Sequence, residues 1–165
     1  MALQPAVTDL ELLKVRPAVG CLLSSLPQAL QAAKFDRDEL TLWVDPLQLL
    51  EALRLLRGSI GTGFEDLADI TAVDWLPSEP RFEVVYSLLS YQLKQRLRVK
   101  VRLSGTDPHV DTVTSLWLGA ASFEREIFDL FGIRFQGHPD LRRILLPDDW
   151  EGHPLRKDYP VEGYR

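Results

Sequence analysis

Leu93-Lys-Gln-Arg-Leu-Arg-Val-Lys-Val-Arg-Leu103 is the stretch on which the fold turns. Leu93, Leu97, Val99, Val101 and Leu103 alternate with Lys94, Arg96, Arg98, Lys100 and Arg102. A period of two is that of a β-strand, which places the apolar side chains on one face and the cations on the other. Like charges sharing one face repel unless acids lie opposite. The cationic face is therefore either a solvated outer surface or a docking face for an acidic partner or phosphates.

Upstream, Phe64–Trp75 and Arg81–Ser90 also read as strands, the second carrying Phe82-Glu-Val-Val-Tyr86, with turn material at Pro77-Ser-Glu-Pro80 between them. Three such runs on short connections predict an antiparallel meander. Leu40-Thr-Leu-Trp-Val44 is a further strand, ended by Asp45-Pro46. Asp45 suits an N-cap and Pro46 a first helical position, so a helix is expected over Leu47–Arg57 with Leu49, Leu50, Leu53 and Leu56 inward and Gly58 as its stop. Residues 1–39 are weakly patterned, with a helix predicted over Leu26–Lys34. Downstream, Ala121–Phe131 predicts a helix with Phe123, Ile127, Leu130 and Phe131 facing a core. Ser122 is its candidate cap, Glu124 and Glu126 lie near its first turn, and Gly132 is placed to end it. The fold class is α+β, a mostly antiparallel sheet with a helical layer, in a core domain over 40–131.

After Gly132 the pattern fades. Residues 133–165 hold Pro139, Pro147, Pro154 and Pro160 and no sustained period, with two similar units, Gly137-His-Pro-Asp-Leu-Arg142 and Gly152-His-Pro-Leu-Arg156. Leu141, Ile144, Leu145, Leu146, Trp150 and Tyr159 are costly to leave wet, at roughly 25 cal/mol per Å² of apolar surface. Residues 132–165 therefore read as an extended docking arm laid on another surface, with disorder and packing back on the chain's own domain as competitors.

With 165 residues, 24 acids against 19 bases and a net charge of −5, the chain has the balance of a globular domain and lacks that of a generic nucleic-acid binder. One cysteine, Cys21, excludes an internal disulfide and a thiolate metal cluster held by this chain alone. The longest uncharged stretch, Pro17–Ala33, is broken by prolines, glycine, serines and glutamines, and does not make a spanning helix. His109, His138 and His153 lack zinc spacing, and no phosphate-cradling glycine motif or nucleophile elbow occurs. Glu124, Arg125, Glu126 and Asp129 share one helix. Glu126 and Asp129 are i, i+3 neighbours, which could divide acid and base roles. A structural or interfacial charge network, with Arg142, Arg143 or Arg156 as partners, is the reading preferred for them.

Glu124-Arg-Glu126, then Asp129-Leu-Phe131, His138 after six residues, Arg142 after three more, and Ile144-Leu145 together resemble the signature of the 30-kDa subunit family of NADH–quinone oxidoreductase, the respiratory complex I. Trp150-Glu-Gly-His-Pro-Leu-Arg-Lys-Asp-Tyr-Pro160 resembles that family's tail, and Leu67–Asp74 and Arg81–Tyr86 its strands. The resemblance covers about residues 60–160. It implies a peripheral-arm subunit that binds no cofactor itself. NAD, FMN, iron–sulfur clusters and quinone would lie in partner chains, among them the quinone-site subunit and the subunit holding the terminal iron–sulfur cluster. Electrons would pass from NADH to quinone, coupled to proton translocation in a membrane arm. Glu124, Arg125, Glu126, Asp129, Gly132, His138, Pro139, Arg142, His153, Arg156, Lys157, Asp158 and Tyr159 are the interface residues it implies, with no catalytic residue in this chain. The equivalent subunit of a related membrane-bound hydrogenase or formate hydrogenlyase is the alternative. The lack of an Arg- and Ser-rich, acid-poor leader fits a bacterial or organelle-encoded chain, peripheral on the cytoplasmic face of the cell membrane through its partners.

Overall fold

The computed structural model describes residues 6–59 and 61–163, so the first five residues of the N-terminal segment and the last two of the tail lie outside the description. Helices α1 (Leu10–Leu13) and α2 (Pro17–Ser25) lead into strands β1 (Leu30–Asp36) and β2 (Glu39–Val44). A 3-10 turn, Pro46–Gln48, opens α3 (Leu49–Gly58). Then follow β3 (Asp66–Asp74), β4 (Phe82–Ser90), β5 (Gln95–Leu103), β6 (His109–Asp111), α4 (Ala120–Phe131) and β7 (Arg134–Gln136).

The main sheet has the order β1-β2-β5-β4-β3. Its β3–β4–β5 part is the expected antiparallel meander. The β1–β2 hairpin is added through a parallel pairing of β2 with β5. Ala33, Leu42, Val99, Tyr86 and Ile70 lie across the sheet on one face and share a buried core with Val19 and Leu22 of α2 and Leu49, Leu53 and Leu56 of α3, and α4 packs against β3. Asp45 caps the turn before α3, its carboxylate accepting from Leu47 N at 2.9 Å.

Two local expectations fail. The helix expected over Leu26–Lys34 is α2, nine residues earlier in its start, followed by β1. Pro17 sits at the first helical position, where its missing N–H is no loss, and the helix is over before Pro27. Residues 30–36 then find a ladder in β2 across a two-residue turn with Arg37 at φ 52° and Asp38 at φ 62°, the left-handed pair that hairpin twist favours. Tertiary pairing here overrides weak helix propensity. Ser122 does not cap α4, which starts at Ala120, and its hydroxyl donates back to Gly119 O.

The cationic face of β5 meets acids on its neighbours. Lys100 and Arg102 reach Glu83 of β4 at 2.6 and 3.4 Å, and Arg98 reaches Glu39 of β2 at 2.8 Å. Glu83, 1% exposed, also accepts from Trp43 Nε1 at 3.1 Å, and burial, which opposes its ionisation, is outweighed by Lys100, Trp43 and Arg102.

Candidate functional site

Helix α4 carries two buried carboxylates and ends where the chain turns into the tail. Gly132 closes it in the left-handed conformation, φ 71°, as a glycine there should. A Cβ at this position would lie 2.5 Å from His153 Nε2 and 2.6 Å from Arg156 Nη2, so glycine is needed for closeness as well as for φ.

Asp129 anchors the tail. One carboxylate oxygen accepts from three successive amides, Ile144 at 3.0, Leu145 at 2.8 and Leu146 at 2.9 Å, while the other takes Arg143 Nη1 at 2.6 Å. Successive N–H groups aimed at one oxygen form an anion-binding concavity, here filled by the chain's own side chain. Burial pushes the Asp129 carboxyl up, but these donors outweigh it and hold it at about 2.

The tail also caps the helix. The last carbonyls of an α-helix have no intrahelical partner, and cations are favoured beside them. Asp129 O accepts from His153 Nδ1 at 2.8 Å, Leu130 O from Leu155 N at 3.0 Å and Phe131 O from Arg156 Nε at 2.5 Å. Burial, with Arg156 and Arg143 nearby, keeps the His153 ring below its ordinary basicity despite the Asp129 carbonyl.

A third tie joins the tail to the sheet. Arg81, just before β4, holds Asp74 with Nε and Nη2 at 2.9 and 2.7 Å and Asp158 with Nη1 and Nη2 at 2.8 and 2.7 Å, two bidentate forks on one guanidinium. Lys157 N donates to Asp74 Oδ2 at 2.9 Å. Burial raises the Asp74 carboxyl, but Arg81, Lys157 N and Leu76 N bring it far below the usual carboxylate range.

Glu124 differs. It is fully buried, accepts from Val113 N at 2.8 Å and shares a short hydrogen bond with Thr112 Oγ1. Among the described residues its nearest basic group is His138 Nε2, 4.0 Å away and itself bonded to the Ala121 carbonyl. Burial therefore wins, and the carboxyl is pushed up to about 7. The buried Tyr86 hydroxyl has no hydrogen-bond partner among the described residues, and burial, with the charges of Glu124 and Asp111, opposes its ionisation.

Most sequence-predicted residues converge here. Arg125 donates to the Arg142 and Arg143 carbonyls at 3.1 and 2.8 Å, Arg142 pairs with Asp140, and Tyr159 OH reaches the Glu151 carbonyl at 3.4 Å. Glu126 and Pro139 are exposed. Glu126 and Asp129 are not a facing pair: one lies in solvent and the other is buried under the tail, so no divided acid–base dyad is assembled. Sequence reasoning missed Arg81, Asp74 and Thr112. The Pro77–Pro80 turn sets Arg81 beside Asp74, and that proximity alone was available beforehand. Among the described residues, no group of three or more His, Cys, Asp or Glu side chains is arranged to hold a metal ion, and no helix is long and apolar enough to cross a membrane.

The tail does not leave its domain, as an arm laid wholly on another surface would. Arg143, His153, Arg156 and the amides of residues 144–146 turn inward, while Ile144, Leu145, Trp150 and Leu155 are exposed, Leu145 at 60% and Leu155 at 52%.

The chain is similar in sequence and fold to known proteins. An NADH-quinone oxidoreductase subunit of Roseiflexus castenholzii is 47% identical over 85% of this chain and 80% of its own length. The corresponding NADH-quinone oxidoreductase subunit of Citrifermentans bemidjiense is 50% identical over 77% and 78%. Among solved structures, the trypsin-resistant fragment (1–134) of Nqo5 shares 38% identity with a TM-score of 0.57, covering 62% of this chain and 83% of the fragment. A chain of the membrane-bound sulfane sulfur reductase, an archaeal respiratory membrane complex, shares 30% identity with a TM-score of 0.75 over 90% and 86%. The family model for the respiratory-chain NADH dehydrogenase 30 Kd subunit matches residues 42–165, and the chain belongs to that family.

Proposed function

We propose that this chain is a cofactor-free clamp in the peripheral arm of NADH–quinone oxidoreductase, held at the cytoplasmic face of a bacterial membrane by other subunits. The observation that carries the proposal is the two-sidedness of the tail. Asp129, Asp74 and the α4 carbonyls take several of its amides and basic side chains, while Ile144, Leu145, Trp150 and Leu155 are left exposed. Apolar side chains presented on a fixed backbone suit a protein interface, because their ordering is already complete before the partner arrives. Glu126 adds an exposed carboxylate on α4. The partners would be the quinone-site subunit and the subunit holding the terminal iron–sulfur cluster, with NAD, FMN, clusters and quinone all in partner chains. The chain's part in electron transfer and proton translocation is positional, since transfer depends on the spacing of groups it does not carry. The identities of 47% and 50% to NADH–quinone relatives, against 30% to the sulfane sulfur reductase chain, favour this complex over a hydrogenase-type or other relative.

The test is Trp150→Ser with Leu155→Ser, alongside truncation after Phe135 and Glu126→Ala, each expressed in a strain lacking the native subunit. Assembled complex in native gels and NADH-dependent quinone reduction should fall together. Normal assembly with lost turnover would point to a direct catalytic role and sink the clamp.

A further inference from the structure

The cationic face of β5 is answered unevenly. Arg98, Lys100 and Arg102 are paired with Glu39 and Glu83. Lys94 and Arg96, on the same stretch and both exposed, form no ion pair among the described residues. They line a cavity of about 310 Å³ with Arg16, whose guanidinium stacks 3.4 Å above the Phe35 ring and pairs with no carboxylate among the described residues. Phe35 and Phe64 give the cavity apolar walls, and Asp38 is the one acid among its lining residues.

The cavity's place matters as much as its charge. It sits where β5 begins, beside the β1–β2 turn and the start of α2. Leu103, at the far end of β5, pairs with Phe82 next to Arg81, where the tail is tied. The cavity and the tail thus occupy opposite ends of the sheet, and the inference does not depend on the tail's role.

We propose that this cavity docks an acidic segment of a partner protein, one that sets an apolar side chain against Phe35 and Phe64 and carboxylates against Arg16, Lys94 and Arg96. Charge complementarity selects the occupant. Three cations face one carboxylate in a chain of net charge −5, so this corner is positive against the background of the whole. Phosphate alone would leave the aromatic walls unused. A membrane surface is flat, whereas the cations here converge on a concavity. Arg16 is already stacked, so its fork is oriented before binding.

The test uses the full chain, ¹⁵N-labelled, titrated with the peptide acetyl-Asp-Glu-Phe-Glu-Asp-amide at low salt. Saturable amide shifts are expected at Phe35, Lys94, Gln95 and Arg96, with Kd on the order of 1 mM or tighter. Raising salt should weaken them, as screening requires. Lys94→Glu with Arg96→Glu, both on exposed side chains, should weaken binding at least about tenfold while the rest of the spectrum is unchanged, the usual penalty for setting like charges together. Four results overturn the proposal. These are no saturable shift, equal shifts from the Asn-Gln-Phe-Gln-Asn peptide, equal shifts from inorganic phosphate, or binding to phosphatidylglycerol vesicles without binding to the peptide.

Discussion

Helix α4 holds two fully buried carboxylates five positions apart, and they have opposite character. Glu124, in the first half, meets one backbone amide and one hydroxyl, and burial drives it toward the neutral form. Asp129, near the C-terminus, meets three amides and a guanidinium, and stays ionised against a shallower burial. Both are shielded from solvent, but Glu124 lies far deeper and Asp129 has the richer supply of donors, so depth and donors together decide the charge. The ionised one lies where the tail arrives and supplies what pins it, whereas the neutral-prone one lies inside the domain and ties α4 to residues 112–113.

The largest effect expected from breaking this contrast is at Asp129. Asp129→Ala strands Arg143 and three amides and should lower unfolding stability by about 3–5 kcal/mol, the usual range for removing one partner of a buried pair. Asp129→Asn, keeping an acceptor oxygen, should lose less. The wild-type carboxyl is depressed from 3.8 to about 2, so its contribution is present above pH 3.8 and is lost as pH falls through about 2. At about 1.4 kcal/mol per unit that component is on the order of 2 kcal/mol, and denaturant titrations of Asp129→Asn should lack it.

Glu124 carries the opposite sign. Its carboxyl is raised from 4.5 to about 7, so its contribution is full below pH 4.5 and is lost as pH rises through about 7. Glu124→Gln mimics the protonated group, with the amide oxygen taking Val113 N–H and the NH₂ donating to Thr112 Oγ1. Relative to this variant, wild type should lose on the order of 3 kcal/mol between pH 4.5 and 7. Parallel pH curves for the two proteins would contradict the assignment.

Two smaller tests sharpen the comparison. Gly132→Ala forces a side chain onto His153 and Arg156 at positive φ and should cost about 1–3 kcal/mol by thermal unfolding. Arg98→Ala, removing a half-exposed pair with Glu39, should change stability by less than about 1 kcal/mol.

What was legible in the sequence divides along the same line. Gln95–Leu103 is a strand within the bounds its alternation sets, because a period of two survives any packing that buries one face. Gly132 and Asp45 were legible because caps are local. The β1 strand was not, since residues 30–36 gain their ladder from residues 39–44, with one further bridge from Phe35 to Val7. At the site, Asp129 was visible as a motif residue and Arg143 as one of its possible partners, but not the three amides it binds. Backbone donors carry no sequence signal. Arg81 was missed for a related reason: its two forks join Asp74 to Asp158, 77 residues away from Arg81.

The most direct test is hydrogen exchange at the Ile144, Leu145 and Leu146 amides in the purified chain. If Asp129 pins the tail to its own domain and so turns Leu145 and Leu155 outward, these amides exchange at least about a hundredfold more slowly than an unfolded chain, and Asp129→Ala releases all three together. Exchange at unfolded-chain rates in wild type would mean that Asp129 does not hold these amides, and the account of a preset docking surface would fall.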